Sequence, residues 1–283
     1  LTLNLVRQGL LGEIVHAEGA YLHDLSKDWL FNKNAYADMW RLKENIGHNG
    51  NLYPTHGLGP VAQCMNINRG DKFERLVSMS SIDFSLGKLA DEMAAKDEFF
   101  KPYTGQNYRG NMNTTMIQTN KGRTIMIQHD VSTPRPYSRI HLVSGTKGIA
   151  QKWPGPERIA FGHSWIKKEA LDDLYTKYSP AIVNHIGNIA KDVGGHGGMD
   201  FIMDWRLVDC LRNGLPLDQD VYDAAAWSCL VPLSQRSVAK RSTSVEIPDF
   251  TRGAWTTNKP VDLTLDGGGN TGVRSEKPEL KMK

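Results

Sequence analysis

The sequence has few cysteines and no long hydrophobic run. Its 283 residues include only three cysteines, Cys64, Cys210 and Cys229, and no two of them have C-x-x-C spacing. An odd number leaves at least one thiol unpaired within the chain, so we predict buried free thiols rather than a disulfide framework. Cysteine usage therefore does not indicate the cellular compartment. The apolar runs are far shorter than the roughly 20 residues that a membrane-spanning helix needs.

An excess of charge of one sign is also absent. The chain carries 34 Lys and Arg against 31 Asp and Glu, a net charge of +3. So small a charge gives no reason to expect a nucleic acid or a membrane surface as a partner. Hydrophobic residues make up 40% and charged residues 23%, which is typical of globular domains, and the length allows one large domain or two modest ones.

Two kinds of catalytic or cofactor motif are missing as well. Paired carboxylates for ordinary glycoside hydrolysis are not evident among the scattered Asp and Glu residues. No strand–glycine loop–helix unit of the dinucleotide-binding type occurs near the N-terminus. Gly267, Gly269 and Gly272 match the GxGxxG pattern, but no predicted strand precedes them and no predicted helix follows, so we predict a flexible tail there.

The chain begins inside a regular element. Residues 1–8 have the pattern of the end of an amphipathic helix, and Gly9 and Gly12 stand where such a helix would stop. Residues 13–22 are rich in strand formers. We therefore expect residues before Leu1 in a longer protein, with a processed mature terminus as the alternative.

Strand patterns cluster in the middle of the chain, and helical patterns flank them. Strands or hairpins are predicted over 76–84, 111–130 and 139–151. Helical spacing is found over 53–67, 168–191, 199–211 and 218–238, and a long loop is predicted over 26–41. Because strands and helices do not alternate, we predict an α+β fold with a large, mostly antiparallel open sheet and helices packed on one face.

The sharpest candidate for a functional segment is Tyr53-Pro54-Thr55-His56-Gly57. Pro54 suits the first turn of a helix, where a Tyr and a His three residues apart project from nearly one face. Both side chains can donate and accept protons, and the N-terminus of a helix favours a neutral imidazole. The pair suits hydrogen bonding to sugar hydroxyls and proton transfer. The alternative is a helix start in which the pair has a capping role.

A second candidate, Gly194-Gly195-His196-Gly197-Gly198-Met199-Asp200, also precedes a predicted helix. Its four glycines permit a close backbone approach, and His196 and Asp200 can face a common pocket. A tight helix start is the alternative. Neither His56 nor His196 has a second ligand at the usual zinc spacing, so we predict no metal site.

Two shorter motifs offer aromatic and cationic groups. Pro136 can present Arg135 and Tyr137 at a strand end. Trp40 beside Arg41 is an aromatic platform next to a guanidinium, an arrangement that suits sugars. Both patterns are also common on ordinary surface loops. The residues alone therefore do not distinguish a sugar-binding pocket from such a loop.

Taken together, these segments resemble a known family. The opening LVRQGLLGEIVHAEGAY is similar to the junction helix and first strand of the C-terminal domain in the Gfo/Idh/MocA oxidoreductases. The segments GNLYPTHGLGPVAQCMNINRGD, STPRPY, GGHGGMDF and EIPDFTRGAW resemble one branch, glycoside hydrolase family 109, the NAD-dependent α-N-acetylgalactosaminidases. The resemblance runs to about Trp255, so we predict a C-terminal substrate-binding domain over 1–255 and a polar, flexible tail over 256–283.

The resemblance implies a two-domain enzyme of which this sequence holds only the substrate domain. In that family NAD oxidises the sugar at C3, a base removes the acidified C2 proton, and the aglycone leaves from C1 by elimination. Water then adds, and the reduced cofactor returns its hydride with overall retention of configuration. Such chemistry explains why a carboxylate pair is not needed.

The resemblance also assigns roles to individual residues. His56 is the expected catalytic, proton-transferring group. The expected substrate-binding residues are Tyr21, Arg41, Tyr53, Pro54, Thr55, His56 and Tyr137. Further residues expected near the pocket are His23, His196 and Asp200.

Other parts of the family's machinery are expected outside this sequence. The tyrosine that serves the family as C2 base precedes the junction helix and therefore falls before Leu1. The NAD-binding loops also fall before Leu1, so we expect no cofactor-binding residues within the chain. We accordingly expect the chain alone to be inactive.

Three functions are compatible with these residues. The first is an NAD-dependent glycosidase whose substrate carries a terminal N-acetylgalactosamine. The second is a sugar dehydrogenase of the same superfamily, and the third is a non-catalytic sugar-binding module that dimerises through its sheet. The joint presence of YPTH and GHGGMD favours the first over the second. The expected partners are a carbohydrate and, through the sheet, a second copy of the chain.

Overall fold

A computed structural model describes residues 1–273 of the chain. The strands of this part are β1 (Ile14–Leu22), β2 (Phe73–Ser80), β3 (Asn113–Thr119), β4 (Thr124–Asp130), β5 (Leu142–Gly145), β6 (Ile149–Gln151), β7 (Arg158–Ala160) and β8 (Val245–Glu246). The α-helices are α1 (Thr2–Arg7), α2 (Trp40–Glu44), α3 (Thr55–Cys64), α4 (Leu86–Lys96), α5 (Lys168–Tyr178), α6 (Ala181–Val193), α7 (Met199–Asn213), α8 (Val221–Ser228) and α9 (Leu230–Ala239).

The strands form one sheet in the order β7-β6-β5-β1-β4-β3-β2-β8. β1 and β4 are parallel, and the other neighbouring pairs are antiparallel. The turn between β3 and β4 contains Gly122 at a φ of 78°, a conformation that glycine adopts without steric cost. The predicted α+β fold, with its mostly antiparallel open sheet, is confirmed.

One face of the sheet is buried and carries the packed helices. Alternation along β1 and β4 places Ala17, Tyr21, Ile125 and Ile127 on this face, all of them buried. α3 packs against β1, and α9 packs against β2. Helices therefore cover the same side on which the Tyr21 side chain lies.

A hydrophobic cluster surrounds the Tyr21 end of β1. Its buried members come from the segment after β1, from α2, from α4 and the residues that follow it, and from the end of β4. They include Leu25, Phe31, Leu42, Leu86, Phe100, Tyr108 and Val131. Tyr53 and Tyr137 pack against this cluster while remaining only partly buried. The rings predicted to bind a ligand are thus anchored on packed apolar side chains, which restricts their rotamers.

The chain divides into two compact units. The sheet unit comprises Thr2–Asp173 and Val221–Pro260, and it contains all the strands of the described residues. The helical unit comprises Leu1, Leu174–Asp220 and the residues from Val261 on. The predicted boundary at residue 255 stays a prediction.

Within the helical unit, the segment that contains Gly267, Gly269 and Gly272 has neither strand nor helix. The buried Asp209 of α7 accepts hydrogen bonds from the Gly269 amide, at 2.9 Å, and the Thr271 hydroxyl, at 2.7 Å. The described end of the chain therefore lies along α7. The remainder of the predicted tail, residues 274–283, lies outside the described residues.

Several predicted boundaries differ from the observed ones for local reasons. The predicted strand 76–84 is observed as β2 and ends at Ser80, because the Asp83 carboxylate accepts the backbone N–H groups of Ser85, Leu86 and Gly87 and so starts α4. The predicted loop 26–41 instead contains short helical turns and the start of α2.

The cysteine and membrane predictions can also be compared with the described residues. Cys64, Cys210 and Cys229 are all free thiols, as predicted; the first two are buried and the third is partly buried. In residues 1–273 we find no helix with both the length and the apolar character needed to cross a bilayer.

Candidate functional site

Tyr21, near the end of β1, is the centre of a cluster of rings. Its ring centroid lies 4.8 Å from that of Tyr53, 5.1 Å from His56, 6.0 Å from Tyr137, 6.0 Å from His23 and 6.2 Å from His129. We call these six residues the aromatic cluster. It joins three distant parts of the chain, residues 21–23, 53–56 and 129–137, which include the predicted YPTH and RPY motifs.

Two strands and one helix bring these rings together. Tyr21 and His129 are direct neighbours in the parallel pairing of β1 with β4. His56 is the second residue of α3, and Tyr53 precedes that helix; their ring centroids are 4.7 Å apart. The prediction that this Tyr and this His project together is confirmed by their spacing.

α3 is held close to β1 by two glycines. A Cβ atom on Gly57 would lie 2.2 Å from the Ala20 nitrogen, and a Cβ atom on Gly19 would lie 2.3 Å from the Gly57 carbonyl oxygen. Only residues without a side chain allow this approach. The distance between the helix start and the Tyr21 end of β1 is therefore set by backbone contact.

Arg41 of α2 supplies the positive charge at the aromatic cluster. Its guanidinium lies 5.2 Å from the Tyr53 ring centroid, 4.9 Å from that of Tyr36 and 5.1 Å from that of Trp40. It also donates a hydrogen bond of 3.0 Å to the Tyr36 hydroxyl. Contact with three rings restricts the orientation of the guanidinium.

A cavity of about 400 Å³ lies beside the aromatic cluster. Among the predicted substrate contacts, Tyr21, Arg41 and Tyr53 line it, and Trp40 adds an aromatic wall. His56 and Tyr137 adjoin it through the Tyr21 ring. A cavity of this size, with aromatic walls and one fixed cation, has the dimensions and chemistry of a small-molecule site.

The histidines of the aromatic cluster that show a pKa shift favour the neutral form. Burial, reinforced by the nearby Arg109 and Arg41 guanidinium groups, holds the pKa of His129 well below its ordinary value. Burial and Arg41 lower the pKa of His23 in the same way. Burial also raises the pKa of the Tyr21 hydroxyl, partly offset by its hydrogen bond with Arg41. Near neutral pH these three groups are uncharged beside the cationic Arg41.

Acidification from pH 7.5 to 5 is expected to lower the free energy of unfolding. Burial lowers the pKa of His141 to about 4 and that of His129 well below its ordinary value, whereas unfolded histidines titrate near 6.5. Below pH 6.5 the unfolded chain therefore binds protons that the folded chain excludes, and His141 alone costs about 2 kcal/mol by pH 5. Urea unfolding at the two pH values measures this loss.

The matched control is His129→Gln, which removes one of the histidines whose pKa is lowered. Asp209 and Asp249 are carboxylates with a lowered pKa, and their contribution to the free energy of unfolding falls only below about pH 4. They therefore do not affect the comparison between pH 7.5 and pH 5. The pH dependence of the variant is expected to be smaller than that of the parent. An equal dependence in both proteins would contradict the buried, neutral state of His129.

The loop before Tyr53 is fastened to the sheet by a buried arginine. Arg109 is 0% exposed and donates hydrogen bonds of 3.3 Å to the carbonyl oxygens of Gly50, His129 and Asn111. Burial lowers its pKa to about 10, so it stays charged at neutral pH. Arg109 thus links the loop before Tyr53 to the end of β4. Nothing in the residues around Arg109 distinguishes it from a surface arginine, so its position could not be predicted from the sequence.

The other predicted site residues have different surroundings. Pro54 caps α3 without a side-chain hydrogen bond, and Thr55 begins the helix. His196 and Asp200 lie in the helical unit, where the histidine Nδ1 and a carboxylate oxygen of Asp200 are 2.9 Å apart and both side chains are well exposed. Their place in the pocket stays a prediction.

The GxGxxG match at Gly267, Gly269 and Gly272, in the segment along α7, is flanked by neither strand nor helix. It therefore lacks the strand–loop–helix context of a dinucleotide-binding loop. In residues 1–273 we find no group of three or more His, Cys, Asp or Glu side chains placed to hold a metal ion. The chemistry available in the cluster is that of phenol hydroxyls and imidazoles beside one cation.

Comparison with known sequences identifies close relatives of the chain. A family model described as "Glycosyl hydrolase 109, C-terminal domain" matches residues 1–257. The chain is 48% identical over 272 residues to "Glycosyl hydrolase family 109 protein 2" of Shewanella sp. (strain ANA-3), and 49% identical over 271 residues to "Alpha-N-acetylgalactosaminidase" of Shewanella oneidensis. Each match covers 93% of this chain and 58% of the relative. The chain thus spans little more than half the length of these curated relatives.

Solved structures with the same fold are more distant in sequence. An NAD-binding oxidoreductase from Klebsiella pneumoniae matches with a TM-score of 0.61 and 12% identity over 87% of this chain and 62% of that one. Levoglucosan dehydrogenase in complex with NADH matches with a TM-score of 0.57 and 16% identity over 88% of this chain and 63% of that one. At these identities the likeness concerns the fold, and it agrees with the predicted Gfo/Idh/MocA architecture.

Proposed function

The chain belongs to the glycosyl hydrolase 109 family, whose C-terminal domain model it matches over residues 1–257, and from this premise we propose that it supplies the substrate-binding part of an NAD-dependent glycosidase. The proposed substrate carries a terminal α-N-acetylgalactosamine. One relative with 49% identity is named for that activity. The observation that carries the proposal is the convergence of Tyr21, Arg41, Tyr53 and His56 beside the 400 Å³ cavity.

The aromatic cluster suits a pyranose ring. Tyr21 and Tyr53 offer aromatic surface to the apolar face of a sugar, and their hydroxyls can exchange hydrogen bonds with its oxygens. The fixed guanidinium of Arg41 donates to hydroxyl or carbonyl oxygens but cannot accept. Tyr137 adds a further hydroxyl at the edge of the cluster. We assign these residues to substrate binding.

His56 is the proposed proton-transferring residue. It stands at the N-terminus of α3, partly buried, with its ring 5.1 Å from Tyr21 and 4.7 Å from Tyr53. An imidazole can hold a proton at one nitrogen and accept one at the other, so a neutral His56 can move a proton to or from a sugar oxygen or carbon. The neighbouring tyrosines restrict its orientation.

NAD, when bound, supplies the oxidation of the sugar at C3 that makes the C2 proton removable. The proposed outcome is elimination of the aglycone from C1 and addition of water, with the anomeric configuration retained. We propose that residues outside 1–273 hold it, since the GxGxxG match at Gly267, Gly269 and Gly272 lacks the flanking strand and helix of a dinucleotide-binding loop. The described residues bind and orient the sugar and handle protons. The 283-residue chain by itself is then expected neither to bind NAD nor to turn over substrate.

An assay of the protein expressed from the gene's full reading frame tests the proposal. With NAD bound, an aryl α-N-acetylgalactosaminide is expected to release its aglycone through many turnovers without net NADH formation. Stoichiometric NADH formation would indicate a sugar dehydrogenase instead. No reaction with either readout, while the sugar still binds, would leave a non-catalytic sugar-binding module as the function.

A further inference from the structure

Three aromatic side chains form a group of neighbouring rings at the edge of the 400 Å³ cavity. The ring centroid of Tyr36 lies 5.9 Å from that of Trp29 and 5.5 Å from that of Trp40. Trp29 and Trp40 are each 45% exposed, and Tyr36 is partly buried. We call these three residues the tryptophan platform. Single apolar side chains on a surface need no explanation, but a group of exposed rings indicates a binding surface.

The backbone that carries the two tryptophans is anchored in the hydrophobic core. Leu30 and Phe31 follow Trp29 and are 1% and 2% exposed, and Met39 precedes Trp40 and is 2% exposed. Both indoles therefore stand outside the core while their neighbours are held inside it. Rings on an anchored backbone lose little conformational freedom when a ligand binds, which favours binding.

Arg41 contacts both the tryptophan platform and the cavity. Its guanidinium lies 4.9 Å from the Tyr36 ring centroid and 5.1 Å from that of Trp40, and it donates a hydrogen bond to the Tyr36 hydroxyl. Arg41 and Trp40 also line the cavity. The tryptophan platform is therefore continuous with the cavity, and one cation serves both.

Exposure divides the lining of the cavity into a closed side and an open side. Asn45, His129 and Val131 are 3%, 2% and 3% exposed and form the closed side. Trp40 and Glu44 also line the cavity, but both are exposed, so they mark the open side. A terminal sugar in the cavity must have its attached group directed to the open side, because packed side chains block the other. The tryptophan platform begins there, at Trp40.

We propose that the tryptophan platform is a second sugar-binding site, which takes the sugar to which the terminal N-acetylgalactosamine is attached. Trp40 and Trp29 offer flat apolar faces to the C–H groups of a pyranose, and the Tyr36 hydroxyl and the indole N–H groups are able to bond its hydroxyl groups. This inference rests on the proposed function and extends it from a terminal sugar to the glycan that carries it.

Charged residues beside the rings favour a glycan over a protein as the occupant. Asp28 precedes Trp29, and Asp38 lies two residues before Trp40; both aspartates are exposed. A protein partner covers about 800 Å² of surface and would take these charges out of water at a cost. A pyranose covers only the rings, and its hydroxyl groups can donate hydrogen bonds to carboxylates at their edge.

Binding of matched glycosides to the 283-residue chain tests the inference. The reference is methyl α-N-acetylgalactosaminide. The test set consists of methyl galactosides that carry α-N-acetylgalactosamine at each free hydroxyl in turn, so every attachment point is represented. Titration calorimetry is expected to give at least one disaccharide an affinity about three- to tenfold above that of the reference, the range of an aromatic stacking contact.

Trp29→Ala separates the tryptophan platform from the cavity. The residues that line the cavity in the described part of the chain do not include Trp29, so the affinity for the reference is expected to stay unchanged while most of the gain from the second sugar is lost. Trp165→Ala is the matched control. Trp165 is 44% exposed and has the Arg158 guanidinium 5.1 Å from its ring centroid. This control is expected to keep the whole gain, and thermal melting checks that both variants fold.

Fluorine NMR of the parent chain labelled with fluorotryptophan gives a readout that does not depend on an affinity change. Trp29→Phe and Trp40→Phe assign the two resonances. The disaccharide is expected to shift both resonances, whereas the reference is expected to shift that of Trp40 alone. The same spectra of the protein expressed from the full reading frame show whether the tryptophan platform stays accessible there.

The outcomes separate the inference from the proposed function. If no disaccharide binds better than the reference, or if Trp29→Ala keeps the whole gain, the second site is wrong while sugar binding by the cavity stands. A Trp29 resonance that differs between the chain and the longer protein and responds to no disaccharide would assign the tryptophan platform to a protein contact and overturn the inference. Binding of neither the reference nor any disaccharide would contradict sugar binding by this chain, and the inference with it.

Discussion

Gly57→Ala is expected to destabilise the sheet unit by about 3 kcal/mol or more. The added methyl group would stand 2.2 Å from the Ala20 nitrogen and 2.7 Å from the Gly19 carbonyl carbon. These atoms are backbone atoms of a central strand, so no side-chain rotation can relieve the overlap, and α3 must move away from β1. Urea unfolding of the variant against the parent measures the loss.

The same displacement is expected to weaken sugar binding in any Gly57→Ala protein that still folds. Tyr53 and His56 lie at the start of α3, and their centroid distances of 4.8 Å and 5.1 Å to Tyr21 depend on where that helix sits. A shift of an ångström at this point alters every contact that the aromatic cluster offers a ligand. Titration with methyl α-N-acetylgalactosaminide measures this second effect.

A helix glycine without a crowded neighbour is the matched control. Gly187 of α6 would place its Cβ atom 3.4 Å from a Val183 methyl group, an ordinary contact. Gly187→Ala is therefore expected to be neutral or to stabilise by up to about 1 kcal/mol, because alanine is the better helix former. If Gly57→Ala unfolds at the same urea concentration as Gly187→Ala, α3 is not held by backbone contact with β1.

The motif residues that the sequence predicted are those with local signals. Tyr53 and His56 stand three apart at a helix start, Tyr137 follows a proline, and Arg41 follows a tryptophan; each pattern can be read within a few residues. The β3–β4 hairpin was predicted for the same reason, since its turn residues stand between two alternating apolar runs.

The residues that were missed depend on contacts between distant parts of the chain. His129 is in the site because β4 pairs in parallel with β1 and places it beside Tyr21. These two residues are more than a hundred positions apart, so no local pattern specifies their pairing. Arg109 is fully buried where three segments meet. Asn45 ends a five-residue helix within a stretch whose spacing predicted no helix. In each case burial, and not residue type, gives the side chain its role.

His56→Ala is expected to cut the turnover of an aryl α-N-acetylgalactosaminide by about 10² to 10⁴, the usual range for a positioned proton-transfer group. The effect is expected mainly in kcat, because Arg41, Tyr53 and Tyr137 still bind the sugar. Loss of a partly buried imidazole at a helix start leaves the Gly57–Gly19 contact intact, so the melting temperature should change by only a few degrees. The assay uses the protein expressed from the full reading frame with NAD present.

His163→Ala provides the control for a histidine-to-alanine change as such, since His163 is exposed in the loop after β7 and lies in none of the motifs. Its kcat and KM are expected to equal those of the parent. His56→Gln separates two roles for His56, because glutamine can keep a hydrogen bond to the sugar but cannot transfer a proton near neutral pH. The kcat of this variant should be as low as that of His56→Ala, whereas its KM should approach that of the parent. A His56→Gln protein with nearly full kcat would make His56 a substrate contact only, and proton transfer would then have to come from another group.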